Sequence, residues 1–360
     1  MDKNHYVIIM AGGIGSRFWP MSRTNLPKQF LDILGRKKTL IQETYARFVS
    51  FIPKENIYIV TNQKYAELVQ AQLPRFNKSQ ILLEPMGKNT APCVAYASYK
   101  IRKQNPDAVF VVAASDHLIA NEKQFRKDIE HGLNACQNED IIMTLGIKPT
   151  RPDTGYGYIQ YLDDEENRGH FKVKTFVEKP KLEMAKIFLE SGDFVWNSGI
   201  FLFSATTISL AFEKYLPEMA ASFAGIEDVY YTDNEASVIK TTYATCQSIS
   251  IDYGIMEKVN NVYVIPTEFG WSDLGTWGSV YQNSDKDYLG NATNGNIMIY
   301  EANNNVINIQ NGKKLVVVKG LEDFIVVDTD DVLLICKKEE EQSIRDIVND
   351  VKNSQGDIFN

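Results

Sequence analysis

A short apolar run, Tyr6–Met10, leads directly into AGGIGSRFWPMSRTNLPKQF at 11–30, and this junction constrains the chain more than any other segment. Gly12, Gly13 and Gly15 leave the backbone bare, so its N–H groups can approach a phosphate closely. Arg17, Arg23 and Lys28 then place three cations within twelve residues. A glycine turn with this much positive charge suits a polyphosphate. It is not a Walker loop, because no Gly-Lys-Ser/Thr closes it. Nor is it the dinucleotide fingerprint, because Phe18 stands where the third glycine belongs, which disfavours an NAD-dependent dehydrogenase.

The rest of the chain sets the context. Its 360 residues are enough for a large core and two domains. The net charge of −8 argues against a nucleic-acid partner, so an anionic small substrate needs a local basic patch or a metal. Cys93, Cys136, Cys246 and Cys336 are scattered without a CxxC pair and read as reduced thiols of a cytoplasmic protein. No signal-peptide pattern opens the chain, and no apolar run approaches a membrane span.

Strand and helix patterns alternate through the first half. Strands are expected at 6–11, 57–61, 81–83, 108–114 and 141–145, with helices at 39–51, 63–74, 89–104 and 122–138. Asn89 suits the N-cap of the third helix. This rhythm predicts an α/β fold with a mostly parallel sheet covered on both faces. From Gly155 the pattern changes: 155–162 and 171–179 alternate as antiparallel strands, and Phe201–Phe203 forms another. Helices follow at 182–191, 205–231 and 234–244. The Asn/Gly-rich segment 284–296 marks a boundary between a domain at 1–283 and one at 284–360. The second holds evenly spaced β runs, a small sheet or a few turns of β-helix, and ends in a charged helix at 338–353.

Several loops carry chemistry-bearing residues. Asp116 follows the fourth strand, where ligands of open α/β sheets collect, and a carboxylate there suits Mg²⁺. Taken alone, it reads more simply as a turn or cap residue. Asp273, in GWSDLGTW, is equally a pocket residue or a surface turn. In FVEKP, Glu178 suits sugar hydroxyls and Lys179 a phosphate. Adjacent strand residues point to opposite faces, so the two share one site only if the strand ends there. In WNSGIFLF, the Asn197 amide offers donors and an acceptor before a buried strand. EPMGKNTAP at 84–92 is a loop and helix start that could read a base edge or hold a phosphate. GYGYI at 155–159 brings bare backbone near a ligand. Trp19, Trp196, Trp271 and Trp277 read as core, and Arg23 as a solvated loop cation.

Together these segments resemble the mannose-1-phosphate guanylyltransferases, or GDP-mannose pyrophosphorylases. The resemblance spans roughly 5–282 and rests on AGGIGSRFWPMSR, PKQF, EPMGKNTAP, SDH, GYGYI, FVEKP, WNSGIF, SIDYGIMEK and GWSDLGTW, in that order. GGxGxR alone would indicate only sugar nucleotidyltransferases, whereas the combination of WPxSR, PKQF and GWSDxGxW is much more specific to the mannose enzymes. Ala114 departs from the proline common before Ser-Asp-His in that family.

The resemblance implies a Rossmann-like nucleotide-diphospho-sugar transferase domain with GTP and mannose 1-phosphate as substrates. The phosphate of the sugar attacks the α-phosphorus of GTP in line, and no protein nucleophile is required. Gly12, Gly13, Gly15, Glu84, Asn89 and Ser115 would bind the nucleotide, with Arg17 and Lys28 neutralising the departing pyrophosphate. Asp116 and Asp273 would bind Mg²⁺. Gly157, Glu178 and Asn197 would hold the mannose, and Lys179 its phosphate. Many relatives append an isomerase domain. The chain ends before one, which reads as the single-function form, with 284–360 expected to form a homodimer. Two other readings stay open. A sister enzyme using another base or hexose would be expected to show a GTRxxPxT turn where GSRFWPMS stands. A nucleotide-sensing homologue would have lost Arg17, Lys28 or one of the two aspartates.

Overall fold

The computed structural model describes residues 1–310 and 312–360, without the side chains of residues 164, 165 and 167. They form two compact units. One comprises Met1–Gly12, Tyr45–Ser115 and Ile119–Trp271; the other comprises Gly13–Thr44, Asp116–Leu118 and Ser272–Asn360. The signature turn is thus divided just after Gly12, and most of it folds with the C-terminal segment.

The first unit is built on nine strands: β1 (His5–Met10), β2 (Ile57–Asn62), β3 (Ile81–Glu84), β4 (Val109–Ala114), β5 (Ile142–Ile147), β6 (Tyr158–Asn167), β7 (His170–Val177), β8 (Phe194–Ser204) and β9 (Val262–Thr267). They lie in the order β3-β2-β1-β4-β8-β5-β9-β7-β6. Pairing is parallel from β3 to β4, as the βα rhythm predicts. The far half is mixed: β8 runs antiparallel to both β4 and β5, while β9 pairs parallel to β5. β1 is buried almost throughout, and Val7, Ile8 and Ile9 are fully inaccessible, as expected of a strand covered on both faces. β6 and β7 form the expected antiparallel hairpin.

Three sequence expectations are corrected here. The helix expected over 205–231 is two helices, Ala205–Tyr215 and Pro217–Ala224, because Pro217 cannot continue the first and instead opens the second. β8 begins at Phe194, so Asn197 and Ser198 lie within the strand rather than before it. β9, for which no strand was expected, completes the sheet. Asn89 does occupy the N-cap position of the helix Thr90–Gln104, but its side chain makes no cap. It sits at φ 63 and donates instead to Ser248 Oγ at 3.3 Å.

In the second unit the C-terminal segment carries β10 (Ala292–Asn294), β11 (Ile297–Tyr300), β12 (Val306–Ile309), β13 (Val316–Lys319), β14 (Phe324–Asp328) and β15 (Leu333–Lys337). β10, β12 and β14 stack in parallel, as do β11 and β13, which is the layered arrangement of a short β-helix. β15 closes the stack antiparallel to β14. The charged tail begins as a 3-10 turn at Lys338–Ser343 and becomes α-helical over Ile344–Gln355. A single core joins Phe18, Trp19, Met21 and Leu31 of the signature segment to Val306, Ile325, Val327, Leu334, Ile344 and Val348. The C-terminal strands therefore bury the apolar side of the glycine turn. Among the described residues no helix is long and apolar enough to cross a membrane.

Candidate active site

The second unit gathers the signature turn and both aspartates around one lysine. Gly15 takes φ 74, and Ser16–Phe18 form a 3-10 turn that presents half-buried Arg17. Lys28 N–H donates to Ile14 O at 3.0 Å and closes the loop. The Lys28 side chain is buried; its Nζ lies 2.9 Å from Asp116 Oδ2 and donates to Asp273 O at 2.6 Å. The Phe18 ring sits 5.4 Å from the same ammonium and packs against Trp277. Burial pushes the Asp116 carboxyl up, but Lys28 and then His117 outweigh it and hold it below the usual carboxylate range. Asp273 Oδ1 accepts the Gly275 N–H at 3.0 Å, an Asx turn that fixes the side chain. The expectation that Arg23 is solvated fails. Its guanidinium makes a forked pair with Asp331, 2.6 Å in one arm, and also donates to Thr329 Oγ1 and Pro20 O. Trp19 Nε1 donates to Phe359 O at 2.7 Å. The turn is thus anchored to the C-terminal segment at two points.

In the first unit, Gly12, Glu84 and Ser115 lie at the carboxyl ends of β1, β3 and β4. Ser115 N–H donates to Met10 O at 3.0 Å. Glu84 is buried, and a Cβ added at Gly12 would lie 3.3 Å from its Oε2. Tyr243 O–H donates to Glu84 Oε1 and lies equally close to Pro92 O, 3.2 Å in each case. Burial pushes the Glu84 carboxyl up to about 7, the Tyr243 hydrogen bond offsetting only part of that cost.

A second cluster of the same unit holds Gly157, Glu178, Lys179 and Asn197. β7 ends at Val177 and Lys179 adopts φ 49, so the chain turns and the two neighbours no longer face opposite ways. Lys179 Nζ reaches Glu178 Oε1 at 2.5 Å. Burial lowers the Lys179 pKa, but its bond to Glu178 more than reverses this and raises it. Gly157 O accepts the Asn197 N–H at 2.8 Å, and a Cβ at Gly157 would collide with Glu178 Oε2. Glycine is required there by close approach rather than by dihedral angle.

Comparison with known proteins gives the family. The nucleotidyl transferase family matches residues 6–288, and the MannoseP isomerase/GMP-like beta-helix domain matches residues 295–351. Over 360 residues the chain is 39% identical to the mannose-1-phosphate guanylyltransferase of Salmonella montevideo, covering 96% of this chain and 73% of the relative. This chain belongs to the mannose-1-phosphate guanylyltransferase family. The guanylyltransferase 2 of Escherichia coli O157:H7 is 37% identical, with 97% of this chain and 73% of that protein covered. The alginate biosynthesis protein AlgA of Pseudomonas aeruginosa is also 37% identical, covering 97% and 72%. A Thermus thermophilus crystal structure, described as that of a mannose-1-phosphate geranyltransferase, superposes with a TM-score of 0.87 at 28% identity, over 97% of this chain and 99% of that one.

Sequence reasoning missed three members of these guanylyltransferase clusters. Asp252, in SIDYGIMEK, accepts from Asn197 Nδ2 at 3.0 Å and opens a π-helical turn, Asp252–Met256. Its segment was visible as a motif, but only the fold brings it to β8. Tyr243 lies inside an otherwise ordinary helix and carries no sequence signal. Asp331 lies in the turn between β14 and β15, far from Arg23 in the chain, and nothing in the sequence pairs them.

Proposed function

We propose that this chain transfers GMP from GTP to α-D-mannose 1-phosphate, forming GDP-mannose and pyrophosphate. The observation that carries the reading is the Lys28 ammonium held at Asp116 and Asp273 beside the glycine turn, a cation preorganised where a polyphosphate would lie. The substrate pair follows from the names of the relatives at 37–39% identity. A phosphate oxygen of the sugar phosphate bonds to the α-phosphorus as the bond to the bridging oxygen of pyrophosphate breaks.

Catalysis by this chain is then positioning and charge neutralisation. The N–H groups of Gly12, Gly13 and Gly15 approach the phosphates, while Arg17 and Lys28 meet the charge that grows on pyrophosphate. Glu84, Asn89 and Ser115 border the nucleoside, with the Glu84 carboxylate a suitable acceptor for guanine N–H groups. Glu178, Asn197 and Gly157 hold the sugar, and Lys179 its phosphate.

The donor set also fits Mg²⁺. The Asp116 carboxylate and the Asp273 backbone carbonyl already meet one cation, the Asp273 carboxylate is held close by through Gly275 N–H, and Mg²⁺ takes one or two carboxylates plus substrate phosphates. Among the described residues no three His, Cys, Asp or Glu side chains form a closed cage. Asp116 and Asp273 would hold the ion, which when bound supplies further neutralisation of phosphate charge.

We further infer a homodimer formed through the β-rich segment. Met298, Tyr300, Leu315 and Val317 stay exposed on or beside the paired strands β11 and β13, a patch of the kind that seeks a partner. A cytoplasmic location fits the reduced cysteines.

The test is a matrix of four nucleoside triphosphates against mannose, glucose and fucose 1-phosphates, scored for pyrophosphate. GTP with mannose 1-phosphate should give the highest kcat/KM. A higher value for UTP with glucose 1-phosphate would favour the sister-enzyme reading.

A further inference from the structure

Asn197 is the most completely specified polar side chain of the sugar cluster. Its Oδ1 accepts the Gly199 backbone N–H at 3.1 Å, which settles the orientation of the amide, because the opposite orientation would set two donors against each other. Thr144 Oγ1, fully buried, lies 3.1 Å from the same oxygen. Nδ2 therefore faces Asp252, to whose Oδ1 it donates one of its two hydrogens at 3.0 Å.

Beside it stands an acceptor without a use in the fold. Glu178 has a side chain only 6% exposed, one oxygen on Lys179, and an Oε2 that is buried with no hydrogen-bond partner among the described residues. A buried carboxylate oxygen left in this state is costly unless a ligand completes it. A Cβ at Gly157 would collide with that oxygen and stand 3.2 Å from Asn197 Cβ, so both side chains lie against the bare glycine. Asp252 is not needed to neutralise anything here. It adds a second carboxylate beside Glu178, and burial, followed by that neighbour, pushes its own carboxyl up to about 6. Lys179 and the Asn197 amide only partly offset this.

We propose that Asp252 is a positioning residue for the sugar: it holds the Asn197 amide so that the second N–H of that amide and the unpartnered Glu178 Oε2 offer one donor and one acceptor to adjacent hydroxyls of the hexose. A vicinal diol meets that pair with one oxygen accepting and the other donating. This rests on reading the Glu178–Asn197 cluster as the sugar subsite.

The experiment compares Asp252→Ala, Asp252→Asn, Asn197→Ala, Glu178→Gln and the Asp252→Ala/Asn197→Ala double variant, measuring KM for mannose 1-phosphate, KM for GTP and kcat. Asp252→Ala should raise the mannose 1-phosphate KM about 10–100-fold, the range for losing a hydrogen bond to a charged group, and leave the GTP KM unchanged. Asp252→Asn keeps an oxygen acceptor and should restore most of that loss. The double variant should be no worse than Asn197→Ala, because Asp252 acts only through that amide. Multiplying effects in the double variant, or a GTP KM that rises equally, would overturn the proposal. If Asp252→Ala does not fold, Asp252→Ser, too short to reach the amide, takes its place with the same expectations. Glu178→Gln separates the two levels. If it leaves the mannose 1-phosphate KM unchanged, the subsite reading fails. If it raises that KM while Asp252→Ala does not, only the role of Asp252 fails.

Discussion

Gly15→Ala tests how the signature turn works. Gly15 sits at φ 74, where a side chain costs roughly 1–2 kcal/mol. A Cβ at this position would also lie 2.5 Å from Lys28 Cβ, 3.1 Å from Cδ and 3.3 Å from Cγ. The nearest of these is the root of the lysine side chain, which cannot swing away without moving its backbone. Relieving such an overlap costs about 1–3 kcal/mol. The sum is roughly 2–5 kcal/mol, which at this chain length lowers Tm by about 1–2 °C per kcal/mol.

The functional effect should exceed the thermal one. Lys28 Nζ holds Asp116 at 2.9 Å and Asp273 O at 2.6 Å, so a displacement of about 1 Å removes both contacts. Loss of one preorganised charge contact typically costs about 10²–10³ in rate. Gly13→Ala is the matched control. No atom lies within 4 Å of its added Cβ and its φ is not positive, so Tm should hold. Only the GTP KM should rise, because the methyl group would stand where phosphate approaches. The assay is kcat and KM at saturating co-substrate, with thermal melts, on Gly13→Ala, Gly15→Ala, Lys28→Met and Gly15→Ala/Lys28→Met. If Gly15 acts through Lys28, the double variant is no slower than Lys28→Met alone. A Gly15→Ala enzyme with normal kcat, or full multiplication in the double variant, would refute the reasoning.

Three other expectations follow from particular contacts. Lys28→Met keeps the buried stem but removes the charge, so single-turnover rates with both substrates saturating should fall about 10²–10³-fold; an unchanged chemical step would confine Lys28 to GTP binding. Arg23→Ala should cost about 1–2 kcal/mol, because the forked pair with half-exposed Asp331 is worth at most about 1 kcal/mol and the bonds to Thr329 and Pro20 add to it. Asp331→Ala should couple to it in a double-mutant cycle, whereas strict additivity in Tm and kcat/KM would show that the anchor is inert. Glu84 has its carboxyl pushed from the usual 4.5 to about 7, so the folded state holds a proton that the unfolded chain has already released. Stability should therefore be highest below pH 4.5 as far as this group is concerned, decline by about 3 kcal/mol as pH rises to 7, and level off above it. Glu84→Gln should flatten that slope in thermal melts between pH 4.5 and 8.5, and an unaltered slope would remove Glu84 as its source.

What could be read from the residues alone was local. Alternation, apolar runs and turn residues placed nearly every strand of the parallel half, and helices such as Glu122–Asn138 and Leu182–Ser191 match their expected bounds, because periodicity reports which face of an element is buried. The motifs named the candidate residues chiefly as an ordered set that resembles one family, because Asp116 and Asp273 taken singly read as well as turn residues. Tertiary structure decided what these residues do to one another. The Glu178 and Lys179 side chains meet because Lys179 takes φ 49, a dihedral angle that no residue code announces. Asp252 reaches Asn197 and Tyr243 reaches Glu84 across 55 and 159 residues of chain. Arg23, legible only as a charged loop residue, is anchored by Asp331 across 308. The pKa shifts of Glu84 and Asp252 likewise arise from burial and neighbours, quantities that exist only once distant segments have packed together.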